Sequence, residues 1–492
     1  MLESAEVGHR IAKAVYARQE PKLREALLTN QFEMGAQQRG PVLLLVSGVE
    51  GGGRGETANK LNEWMDPRHI RTFAFGDRTP EELARPLAWR FWRALPPRGK
   101  IGIFMNAWYR ELVLAHVFGR ISEAAFNGML QEVRQYEQML TAEGIVLLKF
   151  WIHLSRDDQK LRLKALEANP RTRWRVAPDD RKALRLYGKF HDTWEHMLRE
   201  TSISTAPWYV VEGVDERYRM LTIGKILLGA MEKINAGAKP PAPPVVAPAP
   251  SVIGNVALIR KLDLAQRLDV ETYERELAKY QSRLSALTRH KRFRERALVL
   301  AFEGSDAAGK GGAIRRVTGA LDARQYVTIP VAAPTEEERV QPYLWRFWRH
   351  VPAKGGITLF DRTWYGRVLV ERVEGYCEVA DWMRGYDEIN QFEERLVDNG
   401  IVVCKFWLQI SKAEQMRRFQ ARAKTPFKVF KITPDDWRNR KKWGAYEQAV
   451  ADMVDRTSTE IAPWTLVEAE DKRFGRVKIL KTIVRALEHV LD

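Results

Sequence analysis

Apolar and polar positions in the second half of the chain follow a repeating order, a short apolar run and then a stretch of helical period. The runs at 297–303 (ALVLAFE), 326–331, 356–360 (GITLF), 400–407 and 465–468 predict strands. Between them, the spacing of apolar residues in 313–321, 387–398, 412–423 and 435–456 predicts helices. Runs that are apolar throughout, rather than at alternate positions, predict a parallel sheet buried on both faces. The expected fold class is therefore α/β, a parallel sheet flanked by helices. Ahead of the first strand of each copy described below, roughly 40 residues read as helical approaches. In the second copy, 272–296 becomes strongly basic towards its end.

The same order of landmarks occurs twice. Trp89-Arg90-Phe91-Trp92 returns as Trp345-Arg346-Phe347-Trp348, and Trp108-Tyr109 as Trp364-Tyr365. Lys149-Phe150-Trp151 returns as Lys405-Phe406-Trp407, and Ala206-Pro207-Trp208 as Ala462-Pro463-Trp464, always at an offset of 256 residues. One offset from Gly48 to Arg217 leaves no net insertion or deletion between the landmarks, so the chain is a tandem duplication. Residues 236–251 (AGAKPPAPPVVAPAPS) carry too much proline for helix or sheet and read as an extended spacer. The expected organisation is a first domain over 1–235, a linker over 236–252 and a second domain over 253–492.

Composition narrows the setting. A chain of 492 residues with 45% hydrophobic and 29% charged residues is not a disordered one. No apolar run approaches the ~20 residues that cross a bilayer, and the N-terminus lacks a signal-peptide pattern. The two cysteines, Cys377 and Cys404, do not suit a disulfide-stapled secreted protein, and a cytoplasmic setting is expected. Lys and Arg number 80 against 63 Asp and Glu, a net charge of +17. Such an excess attracts polyanions, whether nucleic acid, an acidic membrane surface or a phosphate-rich substrate. A membrane surface has little support, because no basic helix with a large exposed apolar face is found.

Three elements of the second copy carry candidate chemistry. Strand 297–303 runs into Gly304-Ser305-Asp306-Ala307-Ala308-Gly309-Lys310-Gly311-Gly312 and then a helical pattern. This is G-x-x-x-x-G-K in the strand–loop–helix setting of a phosphate-binding loop. Glycines let backbone N–H groups turn inward around phosphate oxygens, the helix N-terminus adds its positive end, and Lys310 supplies a movable charge. Gly311 stands where Ser or Thr normally holds Mg²⁺, so carboxylates would have to hold a metal, and Asp306 is a candidate. The second element is Asp361-Arg362 at the end of strand 356–360. A carboxylate there suits Mg²⁺, although Asp361 as a helix cap and Arg362 as a salt-bridge partner are the structural alternatives. The third is the basic stretch Arg417-Arg418…Arg422…Lys428…Lys431, in which Arg418 and Arg422 share a helix face. It reads either as a solvated face or as a cationic lid over a site of phosphoryl transfer.

Together these motifs resemble the polyphosphate kinase 2 family. The resemblance also takes in Pro334-Thr335-x-Glu337-Glu338, Tyr343-Leu344-Trp345-Arg346, Phe360 to Tyr365 with Arg367-Val368-Leu369-Val370, and Thr457-Ser458-Thr459 with Ala462-Pro463-Trp464, so that it covers nearly all of the second copy. It implies a thymidylate-kinase-like P-loop fold and Mg²⁺-dependent transfer between inorganic polyphosphate and a nucleotide. The tandem form is similar to the subgroup that converts AMP to ADP. By motif position, Asp306, Lys310, Asp361 and Arg362 match active-site residues, with Asp306 and Asp361 as metal ligands. Arg418, Arg422 and Lys428 fall in the lid, and Gly304, Ala307, Ala308, Gly309, Lys310, Gly311 and Gly312 in the phosphate loop. Thr335, Glu337 and Arg367 are candidates for nucleotide binding. Polyphosphate and AMP or ADP are the expected partners, with no nucleic acid and no membrane, and a homo-oligomer is left open.

At the same offset the first copy has replaced these groups. Asp306 becomes Glu50, Lys310 Arg54, Gly312 Glu56, Asp361 Met105, Arg362 Asn106, Arg422 Leu166 and Lys428 Thr172. A thioether is a poor ligand for a hard cation, and Glu56 would set a negative charge where a phosphate should lie. The first copy is expected to be inactive and to act as a packing partner. Arg54, Arg162, Arg171, Arg173 and Arg175 would be free to extend a basic track. Two alternatives stay open at this level, an ATP-dependent nucleoside monophosphate kinase and a non-catalytic polyanion-binding protein. Asp306 and Asp361 argue against the latter, since they repel polyanions unless a metal intervenes.

Overall fold

A computed structural model describes residues 1–237 and 256–491, without the side chains of Val256, Ala257, Phe427, Lys428 and Lys431. Most of the expected linker lies outside the described residues. The chain forms two compact units, each built on a five-stranded parallel sheet. In the first unit the strands are β1 (Val42–Gly48), β2 (Ile70–Ala74), β3 (Ile101–Met105), β4 (Val146–His153) and β5 (Trp208–Glu212), in the order β2-β3-β1-β4-β5. The second unit repeats them as β6 (Ala297–Gly304), β7 (Tyr326–Pro330), β8 (Ile357–Asp361), β9 (Ile401–Gln409) and β10 (Trp464–Glu468). Their order is the same, β7-β8-β6-β9-β10. No helix among the described residues is long and apolar enough to cross a membrane.

The strands lie within two residues of the sequence expectation, and the parallel sheet follows from their continuous burial. Successive side chains of a strand point to opposite faces. On β6, Leu298, Leu300 and Phe302 join the core formed with helices Val270–Arg289 and Lys472–Leu491. Val299, Ala301 and Glu303 point the other way. The helices deviate more. That expected at 313–321 runs from Lys310 to Thr318, because Gly309 takes a left-handed φ of 114° and starts the helix directly at the lysine. The helix expected at 387–398 begins at Val379. The one expected over 435–456 is two, Pro434–Lys441 and Trp443–Thr457, broken at Lys442. The break lets Asn439 of the first piece meet the Tyr446 hydroxyl of the second at 3.2 Å.

Neither unit is a simple half of the chain. The first contains Pro334–Arg346 besides its own copy, and the second contains Thr79–Trp89. The two segments correspond at the 256-residue offset. In the first unit Arg98 N donates to Val340 O at 2.9 Å, and in the second Lys354 N donates to Ala84 O at 3.0 Å.

The repeated tryptophans and lysines meet in one buried network per unit. Lys405 on β9 is fully buried and donates to Glu393 (2.7 Å), to the Tyr365 hydroxyl oxygen (2.9 Å) and to Thr457 O (2.6 Å). Trp364 Nε1 and the Tyr365 hydroxyl both donate to the same Glu393 carboxylate, at 3.0 and 2.7 Å. In the first unit Lys149 donates to Glu137 and Thr201 O, each at 2.6 Å, while Trp108 and Tyr109 donate to Glu137. Burial lowers the Lys405 ammonium below its ordinary pKa and raises the Glu393 carboxyl above its own, and their attraction opposes both. Lys405→Met leaves Glu393 charged and unpaired, and should cost roughly 3–5 kcal/mol in urea unfolding. Lys405→Met with Glu393→Leu should recover most of that loss.

Candidate active site

β6 is the central strand, and the chain leaves its carboxyl end into the loop 305–309. At such a strand end, beside a reversal of strand order, open α/β sheets form their ligand crevices. Three backbone positions give the loop its shape: Gly304 at φ 151°, Ala307 at 64° and Gly309 at 114°. A Cβ on Gly304 would lie 2.6 Å from Leu408 O, so β9 leaves room only for glycine. The first unit repeats the conformation at Gly48, Gly51 and Gly53 (148°, 80° and 99°). Beyond Gly309, the first amides of helix Lys310–Thr318 have no helical acceptors and face the positive end of its dipole. Lys310 Nζ donates to Gly304 O at 2.6 Å, a neutral acceptor.

Asp361 ends β8 directly beside Phe302 of β6, which sets it next to the loop. Arg362 follows at φ 65°, a left-handed conformation that Asn106 repeats in the first unit at 54°. Such a conformation is uncommon away from glycine and needs its surroundings to hold it. Here Arg362 N donates to Phe302 O at 3.0 Å. Thr363 donates its hydroxyl to Glu303 at 2.8 Å and accepts from Tyr365 N at 3.1 Å. The Arg362 guanidinium reaches Asp306 at 3.2 Å and lies in the field of Glu303, Asp361 and Asp436 as well. Burial raises the Glu303 carboxyl above its ordinary pKa, with Lys310, the Thr363 hydroxyl and Arg362 opposing. Burial also raises Asp436, helped by Asp306 and opposed by Arg422.

Asp306, Lys310, Asp361 and Arg362 are thus gathered at one sheet end. Asp306 also accepts from Asn439 Nδ2 at 2.8 Å, and its carbonyl accepts from Gln415 at 3.1 Å. Arg418 is brought to the loop, but beneath it. It is 4% exposed, and its guanidinium donates to Ala307 O, Ala308 O, Ala469 O, Glu470 O and Glu414 at 2.6–3.0 Å. A loop that turns its amides towards a ligand turns these carbonyls away, and Arg418 satisfies them. It holds the loop and is not part of a lid surface. Arg422 lies one turn further along helix Lys412–Ala423, near Asp436. The Lys428 side chain lies outside the described residues.

Thr335 and Glu337 lie in Pro334–Arg346, which belongs to the first unit, and the Thr335 hydroxyl caps the short helix that follows it. Arg367 is held by Glu371 at 3.4 Å and Asp381 at 3.7 Å. Among the described residues, no three or more His, Cys, Asp or Glu side chains form a group that could hold a metal ion. The motifs assign no role to Glu303, Thr363, Gln415, Asn439 or Arg476, although Thr363 lies within the stretch Phe360 to Tyr365. Glu303 and Thr363 had a signal, because the 256-residue offset turns them into Ser47 and Ala107, beside the other losses of the first copy. Arg476 has its guanidinium 3.1 Å from where a Cβ on Gly312 would lie, and no motif pointed to it.

A parallel sheet whose central strand ends in a glycine-rich, lysine-bearing loop, with acidic and basic groups on the adjoining strand end, has the arrangement of a kinase-type α/β phosphotransferase. The family model for Polyphosphate kinase 2 (PPK2) matches residues 10–239 and 267–491, and the chain belongs to this family. It is 56% identical over 99% of both chains to a polyphosphate:AMP phosphotransferase of Pseudomonas aeruginosa. A protein of the same name from Pseudomonas syringae pv. tomato is 52% identical, over 99% of this chain and 98% of that one. The crystal structure of a putative polyphosphate kinase 2 from Pseudomonas aeruginosa superposes with a TM-score of 0.91 at 54% identity, covering 100% of this chain and 99% of that one.

Two substitutions test the local supports. Arg418→Lys cannot reach four carbonyls and a carboxylate at once, and should cost roughly 3–5 kcal/mol together with most of the turnover. Thr363→Val leaves the buried Glu303 without its hydroxyl donor and should cost about 1–3 kcal/mol, read by thermal unfolding.

Proposed function

We propose that the second unit transfers the terminal phosphoryl group of inorganic polyphosphate to AMP, giving ADP and a polyphosphate shorter by one unit. The reading is supported by tandem relatives that match over nearly their whole length and are named for this reaction. The observation that carries it to the second unit is the gathering of Lys310, Asp306, Asp361 and Arg362 at one sheet end, against Arg54, Glu50, Met105 and Asn106 in the first.

A phosphate of the chain end would lie against Lys310 and the first amides of its helix, displacing Lys310 from the Gly304 carbonyl. An AMP phosphate oxygen attacks the terminal phosphorus as the bond to the bridging oxygen breaks, and the shortened chain leaves with that oxygen. The AMP phosphate is ionised at neutral pH, so no strong general base is required, and catalysis is mostly positioning and charge neutralisation. Arg362, held by Asp306, is placed to balance charge as the group moves. Asp306 and Asp361 offer hard oxygen donors that suit Mg²⁺, which commonly takes one or two carboxylates and completes its shell with phosphate oxygens and water. When bound, Mg²⁺ would neutralise charge on the transferred group. The +17 balance suits a substrate carrying about one negative charge per unit.

The purified chain with long-chain polyphosphate, Mg²⁺ and AMP, without ATP, should form ADP, and Asp361→Asn should lower the rate by about 100-fold or more. ADP formed only when ATP replaces polyphosphate would reassign the chain as an ordinary nucleotide kinase. No ADP with either donor would leave a polyanion-binding protein. Apparent affinity for long polyphosphate should fall steeply with added salt, and salt-independent binding would remove the role of the basic surface.

A further inference from the structure

The phosphate loop of the first unit has kept its shape while its cations have found internal partners. Arg54, in the place of Lys310, pairs with Glu50 and donates to Asn106 at 2.9 Å. Glu56, in the place of Gly312, accepts from Arg162 (2.9 Å to each oxygen), Arg175 (3.3 Å) and Arg219 (3.2 Å). Arg54, Arg162 and Arg175 are therefore not free to extend a basic track. Arg219 comes from helix Glu216–Asn235 and is 2% exposed. Its guanidinium donates to Gly52 O and Gly213 O at 3.2 and 2.8 Å. Those carbonyls correspond to Ala308 O and Ala469 O, which Arg418 serves in the second unit. The true counterpart of Arg418 is Arg162, which has turned to Glu56 instead.

We propose that the Glu56 carboxylate stands in for a phosphate in the first unit, which holds a closed oxyanion site that opens when this one charge is removed. Three guanidinium groups converge on Glu56 in the first turn of helix Arg54–Trp64, where the first amides lack helical acceptors and Thr57 N is the one that bonds back to Gly53 O. Arginines that converge on one carboxylate are equally suited to phosphate or pyrophosphate, whose oxygens accept paired N–H bonds. Arg219 Nε is buried without a partner, a donor that the single carboxylate leaves unused and that the additional oxygens of a phosphate are suited to take. In the second unit Arg476, from the corresponding helix, lies beside Gly312, a residue that itself carries no carboxylate. The inference concerns the first unit alone and stands whatever reaction the second unit performs.

The test compares the full-length chain with Glu56→Gln and Glu56→Asp. Each is titrated with pyrophosphate, and hydrogen exchange is followed at the amides of residues 49–57. In the wild type and in Glu56→Asp these amides should exchange at the same rate with and without pyrophosphate. In Glu56→Gln they should slow by at least about tenfold at saturation. The melting temperature lowered by Glu56→Gln should also rise again with pyrophosphate, further than that of the wild type does. Protection of 49–57 in the wild type would overturn the proposal, because the site would already be open. Lack of protection in a folded Glu56→Gln chain would overturn it as well. Protection in Glu56→Asp would show that shape rather than charge closes the site, and would count equally against it. If Glu56→Gln does not fold, Glu56→Gly, the residue that the second unit has at the matching position 312, carries the same test, and lack of protection in that folded chain overturns the proposal.

Discussion

A buried lysine ammonium requires acceptors for its protons, and this requirement organises each unit. In the second, Lys405 draws together four pieces of the chain. They are its own strand, the helix bearing Glu393, the turn bearing Trp364 and Tyr365, and the helix end at Thr457. The turn is the piece that lies beside the candidate site. Asp361 and Arg362 immediately precede it, so their position at the sheet end depends on a carboxylate and an ammonium that never meet substrate. A hydrophobic replacement of the pair would pack as well, but it would fix the turn less strictly, because dispersion contacts have no direction.

The loop is a second case of structure held from behind. Its amides face a ligand only if its carbonyls are satisfied on the other side. Arg418 does this in the second unit, and Arg219, from a different helix, in the first. Gln159 and Gln415 likewise bond the carbonyls of the matching residues Glu50 and Asp306. The same backbone demand is therefore met in both units, although the arginine that meets it has changed places. Arg362 and Asn106 keep the same left-handed conformation for a related reason, since the strand end must turn there whether or not a catalytic group follows.

The sheet was legible because buried parallel strands are apolar at every position, and the duplication because aromatic landmarks kept their spacing. The shape of the glycine-rich loop was legible because its glycines, its lysine and its flanking elements all lie within a dozen residues of sequence. Arg418 was read as a lid cation because a basic residue on a helix gives no sign of whether its guanidinium ends in solvent or under a loop. Glu393 was missed because a carboxylate on the buried face of a helix declares itself only through partners that are distant in sequence. The break at Lys442 was invisible for the same reason, since it depends on Asn439 and Tyr446 meeting in three dimensions.

Each compact unit contains a short segment from the other copy's stretch of sequence, Pro334–Arg346 in the first and Thr79–Trp89 in the second. A chain reduced to its second copy would therefore lack the eleven residues Thr79–Trp89 that its unit contains. Single residues of the first copy can be exchanged without touching that segment, whereas removing the copy takes the segment with it. The duplication behaves as a ratchet, in which each unit includes a segment written in the other copy's stretch of sequence.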